Sequence, residues 1–342
     1  MLKPYTPKSK KFYTTDAFTD YAINYLDAYK NEDKPFFLYL AYTAPHYPLH
    51  AWESDIKKYR NSYAKIGWDK LRKTRFANQL KQGLFPAGTV CSKPDPRTRD
   101  WNTLSNAEKD QQDLLMSVYA AMIDRIDQNV GKLVAKIRSL GQLGNTIFIL
   151  LSDNGGTEEA PNRMPGVQAG PVGSYQCLGR DWANATNTPF RKYKKYDYEG
   201  GICTPFIVNW PGVTKPGAIV HEPVGHVIDI MPTLVEITGA KYPQKRAGQK
   251  VLPLEGQNLV EVFRTGKQRA RKPIFFQFGR AKAVRDGKWK AVKQGNRPWE
   301  LYDLKADRTE LVNLAKKNPQ KMRQLIQAWQ KWARKCKLHY SG

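Results

Sequence analysis

The sequence predicts an α/β protein in which a largely parallel sheet, flanked by helices, is followed by a small antiparallel sheet with a helix. Two observations carry this prediction. Apolar strand patterns alternate with helical patterns in the first part of the chain, as in sheets with helical crossovers. Later, short strand patterns separated by glycines follow one another directly, and a helical pattern closes the chain. We therefore predict a main domain over residues 1–264 and a C-terminal subdomain over residues 265–342.

The main domain begins with a predicted helix and a predicted buried strand. Thr15 and Asp16 precede apolar residues at helical spacing, which indicates a capped helix N-terminus. The apolar run at residues 36–41 predicts a buried strand. Residues 52–106 carry several prolines and predict a loop-rich surface insertion, the kind of segment in which substrate-selecting loops lie.

A long helix and two further strands complete the main domain. Between Met116 and Ile137 the apolar residues recur on one helical face, and Gly141 is a typical helix end. Strands are predicted at residues 147–151 and 205–208, and a helix is predicted at residues 227–237.

The C-terminal subdomain is predicted to contain four short strands and one basic helix. The strands are expected at residues 273–278, 281–285, 289–292 and 301–302, and the helix at residues 319–336. Gly287 and Gly295 stand between strands, where tight turns need them.

The chain carries a formal net charge of +25, and most of the excess follows Arg264. Such a field attracts polyanions. The basic residues form no recognised nucleic-acid-binding motif, so no specific nucleic acid is expected as a partner. A solvated basic surface without a specific partner is the alternative to a polyanion site.

Several other classes of protein are excluded by simple patterns. The chain contains no stretch of about 18 apolar residues, so no membrane span is predicted. The residues after Met1 lack the apolar core of a signal peptide. The four scattered cysteines favour neither a zinc site nor a dense disulfide framework. A pairing of Cys91 with Cys177, both in loop-like regions, stays open.

Asp153 and Asn154 directly follow the strand predicted at residues 147–151 and are the first candidates for a site. Open α/β sheets build sites at the carboxyl ends of their strands, and these side chains carry the oxygens that hard cations such as Ca²⁺ prefer. Gly155 and Gly156 allow a sharp turn and a close approach. The same residues are also typical of an ordinary turn.

Further segments carry a resemblance to a known family. They are residues 35–48, with His46 between two prolines, 187–202, with Tyr198-Glu199-Gly200-Gly201, 204–212, 226–234 and 300–314. In this order and spacing they resemble the type I sulfatase (arylsulfatase) family of the alkaline-phosphatase-like superfamily. The resemblance covers nearly the whole chain and implies that superfamily's fold.

The resemblance also implies roles for individual residues. Asp153 and Asn154 match metal ligands, with Ca²⁺ as the expected ion. His46 matches the histidine that contacts the sulfate and protonates the leaving oxygen, for which an imidazole is suited; a lone histidine with a structural role is the alternative. Lys194 matches the sulfate-binding lysine.

Neighbouring residues are weighed against these assignments. Lys192 and Lys195 could be confused with Lys194, and all three could belong to a solvated basic face. Tyr198 receives no catalytic role. His226 and Asp229 lie in a family segment that we interpret as structural.

Part of the family's pattern is missing. The C-x-P-S-R motif, whose Cys or Ser becomes formylglycine, does not occur, and Cys203-Thr204-Pro205 continues with Phe206 instead. Formylglycine is therefore expected for the family but is not encoded here. The paired aspartates that hold the metal and the Gly-Lys-x-His segment are absent too. We interpret the chain as the C-terminal portion of a sulfatase, with Met1 inside the family's catalytic domain and a missing N-terminal segment as a partner.

These patterns lead to one leading hypothesis and two alternatives. The leading hypothesis is a sulfuric ester hydrolase acting on a sulfated carbohydrate or an aryl sulfate, inactive as this isolated chain and with only a partial Ca²⁺ site. The first alternative is a non-enzymatic binder of sulfated polyanions on a sulfatase scaffold. The second is a phosphoester-cleaving relative from the same superfamily. The family suggests a periplasmic or secreted location, which the sequence itself leaves open.

Overall fold

The computed structural model describes Pro7 and residues 11–338, and it confirms the predicted α/β class. The chain forms two compact units. The first unit comprises the described residues up to 71, residues 99–146 and residues 158–182. The second unit comprises residues 72–98, residues 147–157 and the described residues from 183 onward. The predicted division after residue 264 stays a prediction.

Helices and strands are distributed along the chain as follows. The helices are α1 Thr14–Ala28, α2 Glu53–Lys57, α3 Gly67–Lys81, α4 Asn106–Ser139, α5 Gly179–Thr186, α6 Glu199–Ile202, α7 Ile230–Thr238, α8 Val260–Thr265 and α9 Pro319–Lys335. The strands are β1 Phe148–Leu151, β2 Phe206–Asn209, β3 Lys245–Arg246, β4 Gln249–Lys250, β5 Ile274–Phe278, β6 Ala281–Asp286, β7 Trp289–Gln294 and β8 Glu300–Asp303.

The long helix α4 organises the first unit and confirms the helix predicted around residues 116–137. Ser105 and Glu108 form a capping box at its start, which satisfies backbone donors there. Helices α1 and α2 pack on α4. The predicted cap of α1 is wrong, because the helix already begins at Thr14. The carboxylate of Asp16 instead accepts hydrogen bonds from Trp52 Nε1 at 3.0 Å and Asn129 Nδ2 at 2.8 Å.

The buried strand predicted at residues 36–41 does not form. These residues belong to no strand, and the side chains of Phe37 and Tyr39 are 75% and 81% exposed. A strand is completed by hydrogen bonds to a neighbouring strand. No described segment pairs with residues 36–41, so the apolar pattern alone was not enough.

The segment at residues 52–106 is more ordered than the predicted loop-rich insertion. It contains α2, α3 and the short helical turn Trp101–Thr103, while residues 82–100 form no helix or strand. Trp68 and Trp101 are buried and meet edge to face at 4.6 Å, and Trp68 meets Trp182 at 5.5 Å. Large aromatic rings in this arrangement anchor the two ends of the segment, around Trp68 and Trp101, in the core of the first unit.

In the second unit β1 and β2 pair antiparallel, which corrects the expected parallel sheet for these two strands. Phe148 lies opposite Asn209, and Leu151 lies opposite Phe206. All strand ladders among the described residues are antiparallel. The long connection from β1 to β2 permits either direction, so the sequence pattern could not decide it. The end of β1 therefore lies beside the segment that leads into β2.

The C-terminal sheet confirms the prediction closely. Strands β5 to β8 form one antiparallel meander in sequence order. Successive side chains point to opposite faces of a strand. Val284 and Leu301 accordingly pack with Leu325 and Trp329 of α9. Residues on the other face, including Val292 and Tyr302, pack with Tyr198. Both faces of this sheet are therefore covered.

Two smaller observations complete the fold. All four cysteines are free thiols, so the open pairing of Cys91 with Cys177 is absent from this structure. Among the described residues, no helix has both the length and the apolar character needed to cross a membrane.

Candidate functional site

The candidate metal ligands lie in the turn that follows β1. The Ser152 backbone N–H donates to Pro205 O at 3.4 Å, and Thr204 Oγ1 donates to Ser152 O at 2.7 Å. These bonds hold the start of the turn against the segment entering β2. Asp153 is exposed and Asn154 is partly exposed, so their side-chain oxygens are accessible to a ligand.

The two Gly-Gly pairs bring three backbone segments into direct contact. Gly155 N–H donates to Gly201 O at 3.0 Å, and a Cβ on Gly155 would lie 1.9 Å from Gly200 O. A Cβ on Gly200 would lie 2.3 Å from Arg191 O, and one on Gly201 would lie 2.0 Å from Tyr196 O. No side chain fits at such distances, so glycine is required by the close approach.

Asn187 joins the same three segments through its side chain, and sequence reasoning missed this role. Its Oδ1 accepts from Gly156 N–H at 2.9 Å. Its Nδ2 donates to Lys192 O and to Gly200 O, each at 3.0 Å. Only its place in the segment at residues 187–202 hinted at importance. A partly buried amide that uses both its donors and its acceptor fixes the positions of its neighbours.

The structure distinguishes Lys194 from the neighbouring lysines. The Lys194 backbone N–H donates to Gly156 O at 2.9 Å, which ties this residue to the turn that carries Asp153 and Asn154. Lys192 and Lys195 adopt left-handed backbone conformations, with φ of 68° and 75°. The structure therefore brings three of the four predicted site residues together in the second unit. Their roles stay predictions.

His46 lies in the first unit, in an exposed turn. Its Nδ1 lies 2.7 Å from Tyr47 O. Because a carbonyl oxygen only accepts, Nδ1 carries a proton. This contact fixes the orientation of the imidazole ring, and the role of His46 stays a prediction.

The donors present fit a Ca²⁺ site only in part. Ca²⁺ takes roughly six to eight oxygen ligands. Asp153 and Asn154 supply a carboxylate and an amide, and Asn154 Nδ2 donates a hydrogen bond to Asp153 Oδ2. Among the residues that the structure describes, no group of three or more His, Cys, Asp or Glu side chains is arranged to hold a metal ion. The two side chains alone do not make a complete cation site.

Tyr198 and Glu199, which precede the Gly200-Gly201 pair, are held by contacts with other segments of the second unit. Tyr198 Oη donates to Glu300 Oε2 at 2.8 Å, and the Arg191 guanidinium lies 4.5 Å from the Tyr198 ring centroid. Burial disfavours the charged form of Glu199, yet Arg308 and Lys290 outweigh burial and hold the pKa of its carboxyl below its ordinary value. These contacts fix the Tyr198 ring and the Glu199 carboxylate in the second unit.

His226 and Asp229 have the structural contacts expected of them. His226 N–H donates to Asp229 Oδ2 at 2.8 Å, and His226 Nδ1 accepts from Ile228 N–H at 3.3 Å. Asp229 is buried and forms an ion pair with Arg271 at 2.9 Å. His226 thus caps the short helical turn Val227–Asp229, which leads into α7.

Comparisons with family models match nearly the whole chain. The model described as Sulfatase matches residues 2–240. The model described as N-sulphoglucosamine sulphohydrolase, C-terminal, matches residues 190–336. The two matches together include all four predicted site residues.

Individual relatives agree with this assignment. An uncharacterized sulfatase of Schizosaccharomyces pombe is 35% identical over 344 residues, covering 94% of this chain and 61% of that protein. An arylsulfatase of Klebsiella aerogenes is 31% identical over 269 residues, covering 73% of this chain and 56% of the enzyme.

Among solved structures, Ps i-CgsB in complex with k-i-k-neocarrahexaose superposes with a TM-score of 0.64 at 25% identity, covering 95% of this chain and 55% of that one. The chain spans less than two thirds of the length of each of these three relatives. Because the family model matches more than half of the chain, this protein belongs to the sulfatase family.

Proposed function

We propose that this chain serves a sulfuric ester hydrolase that acts on a sulfated carbohydrate or an aryl sulfate, and that the chain by itself does not turn the substrate over. One observation carries the proposal: the backbone bond from Lys194 to Gly156 joins the predicted sulfate-binding lysine to the turn of Asp153 and Asn154. This bond supports the proposal because it ties the backbone that bears the Lys194 ammonium to the turn that bears the oxygens of Asp153 and Asn154.

Each predicted residue has a distinct task in this chemistry. Hydrolysis of a sulfate ester needs positive charge around the sulfate oxygens and a proton for the leaving oxygen. The Lys194 ammonium supplies positive charge. His46, with Nδ1 held by Tyr47 O, supplies the proton through Nε2. Ca²⁺, when bound with further ligands, would add charge stabilisation beside Asp153 and Asn154. The sequence encodes no formylglycine precursor, which is why we expect no turnover.

The substrate class is supported by charge and by a relative. The chain carries a net charge of +25, which favours anionic substrates. The solved relative at 25% identity was determined in complex with k-i-k-neocarrahexaose. Together these observations favour a sulfated carbohydrate.

The test measures binding and turnover separately, with 4-nitrophenyl sulfate as the probe. We expect the purified chain to bind the ester and the Lys194→Gln variant to bind it about tenfold more weakly, because a charge-assisted contact is lost. Lys132→Gln, which removes an exposed lysine on α4, is the matched control. Steady release of sulfate by the purified chain, above that of the His46→Ala variant, would contradict the proposal that the chain is inactive. Equal affinities of the Lys194→Gln and Lys132→Gln variants for the ester would contradict the proposed role of Lys194.

A non-enzymatic binder of sulfated polyanions is the second candidate. The specific observation in its favour is that most of the excess of positive over negative charge follows Arg264, outside the region of the predicted site residues. Binding of dextran sulfate that survives Lys194→Gln, combined with no measurable binding of 4-nitrophenyl sulfate, would favour this candidate over the hydrolase.

A further inference from the structure

A cavity in the second unit is lined by residues to which no contact with the sulfate or the metal ion has been assigned. Its volume is about 190 Å³, and its lining residues are Arg97, Lys192, Tyr196, Tyr198, Gln294 and Arg297. They come from three stretches of sequence that are far apart. This is many times the ~10–15 Å³ that a cavity needs in order to hold one water molecule, so the space admits a small organic ligand.

Three cations line the cavity, and one carboxylate partly balances them. Asp95 is held in a two-pronged pair by Arg97, with Nε to Oδ1 at 2.9 Å and Nη2 to Oδ2 at 2.7 Å. Asp95 also accepts from Tyr193 Oη at 3.2 Å. This pairing fixes the guanidinium plane of Arg97 and leaves Lys192 and Arg297 as a surplus of positive charge. Guanidinium and ammonium groups such as these are suited to binding carboxylate and sulfate oxygens.

The charge around Lys192 supports the same conclusion. Burial lowers the pKa of its ammonium group, and Arg97, Arg191 and Arg297 lower it further, against the opposing effect of Asp95. An anion bound in the cavity would relieve this repulsion. The cavity therefore favours an anionic ligand on electrostatic grounds.

Two tyrosines give the cavity a rigid wall. Tyr198 is fixed by its bond to Glu300 and by Arg191 over its ring. Tyr196 packs beside it against the C-terminal sheet, and Lys192 Nζ lies 5.6 Å from its ring centroid. Aromatic rings offer flat apolar surfaces next to polar edges. Such a wall suits the C–H face of a sugar better than it suits a small inorganic ion.

We propose that this cavity binds one anionic sugar unit through its sulfate or carboxylate group, with Arg97, Lys192 and Arg297 as the cationic contacts and the rings of Tyr196 and Tyr198 as the wall for the sugar face. The choice of a saccharide as ligand rests on the proposed function. Lys194 does not line this cavity. The bound unit is therefore distinct from the group that Lys194 contacts.

The experiment is calorimetric titration of the whole chain with D-galactose 6-sulfate, D-galacturonate and D-galactose. We expect one or both charged sugars to bind about tenfold or more tightly than galactose, because the cations dominate the cavity. A preference between the two charged sugars identifies the anionic group as sulfate or carboxylate. Inorganic sulfate is the fourth probe, and we expect it to bind more weakly than the favoured sugar, because it makes no contact with the tyrosine rings.

Two variants and two controls locate the binding. Arg297→Gln and Lys192→Gln are each expected to weaken the binding of the favoured sugar about fivefold to tenfold. Arg297 is exposed, so its substitution leaves the fold intact, which an unchanged melting temperature checks. Arg264→Gln removes an exposed arginine from α8 and is expected to change nothing. Lys194→Gln is expected to keep the sugar bound, which separates this proposal from the proposed hydrolase site.

Several results would overturn the proposal. These are equal affinity for galactose and the charged sugars, inorganic sulfate binding as tightly as the favoured sugar, equal effects of Arg297→Gln and Arg264→Gln, or no binding of any probe. Loss of sugar binding in Lys194→Gln alone would also overturn it, because the sugar would then occupy the hydrolase site.

Discussion

Lys290 Nζ lies 2.9 Å from Glu199 Oε1, and both side chains are buried. This ion pair joins the Tyr198-Glu199-Gly200-Gly201 segment to strand β7 of the C-terminal sheet. Lys290 also lies 2.8 Å from Glu310, and Arg308 contacts Glu199. The Tyr198-Glu199-Gly200-Gly201 segment is therefore anchored by charged side chains of β7 and of the residues that follow β8.

Removal of Lys290 is predicted to destabilise the second unit strongly. Lys290→Met leaves Glu199 and Glu310 buried with less compensation, and we expect a loss of roughly 3–5 kcal/mol in the free energy of unfolding. Lys288→Met is the matched control, because Lys288 pairs with Asp303 while its side chain is 49% exposed, and a loss below ~1 kcal/mol is expected. Urea unfolding measures both, and equal losses would contradict the prediction.

Gly155→Ala is predicted to disturb the turn that carries Asp153 and Asn154. The new Cβ would meet Gly200 O, which is backbone and cannot move alone. We expect a destabilisation of about 1–3 kcal/mol or more from overpacking. Gly225→Ala is the control within the same unit, since its nearest atom would lie 3.7 Å away and an effect within about 0.5 kcal/mol is expected. Thermal melts of both variants provide the measurement.

Asp113 is predicted to be the main polar anchor of the first unit. Its buried carboxylate accepts from the backbone N–H groups of Asn61, Tyr63 and Ala64 at 2.9, 2.8 and 3.0 Å, and it contacts Arg60. Asp113→Ala leaves these donors without their acceptor, and we expect a loss of roughly 3–5 kcal/mol.

Asp110→Ala is the control for this prediction. Asp110 pairs with the same Arg60 at 2.6 Å, but its side chain is 60% exposed. A loss below ~1 kcal/mol is expected for an exposed pair. Denaturant unfolding that ranked Asp110→Ala as the more damaging change would refute the role of Asp113.

Asp197 is predicted to make stability depend on pH. Burial raises the pKa of its carboxyl to about 7, with Lys290 opposing and Glu310 adding to the rise. The folded state therefore binds this proton more tightly than the unfolded state, whose pKa is near 3.8. The contribution of Asp197 to stability is full below that value and is lost as the pH rises towards 7.

The corresponding variant tests the sign of this effect. Asp197→Asn, which cannot ionise, should match the parent near pH 4 and exceed its melting temperature increasingly up to about pH 8. Glu261→Gln, an exposed carboxylate-to-amide change on α8, should follow the parent curve. A difference that shrinks as the pH rises would show the opposite sign and reject the assignment.

Ca²⁺ binding by this chain is predicted to be weak. Asp153 and Asn154 supply too few oxygens for a tight site, so we expect a Kd of ~1 mM or weaker. Asp153→Ala should leave the calorimetric titration with Ca²⁺ almost unchanged. Tight binding that Asp153→Ala abolishes would show that the partial site is completed by other residues of this chain.

The C-terminal sheet and the long helix α4 were predictable because their patterns are local. Alternation within β6 and β7 assigns Ala283 and Val284 to opposite faces whatever else surrounds the sheet. The apolar run at residues 36–41 shows the limit of this reasoning. Its pattern is that of a strand, but a strand also needs a neighbour, and no described segment pairs with it.

The sequence by itself determined the family, the C-terminal strands and helix, and the candidates His46, Asp153, Asn154 and Lys194, because motifs and periodicity are read from adjacent residues. The tertiary structure alone decided how β1 and β2 pair, why the glycine pairs are required, and that Asn187 clamps three segments. It also assembled the cavity of Arg97, Lys192 and Arg297. The physical reason is that these features depend on close contacts between residues far apart in sequence, which local patterns do not specify.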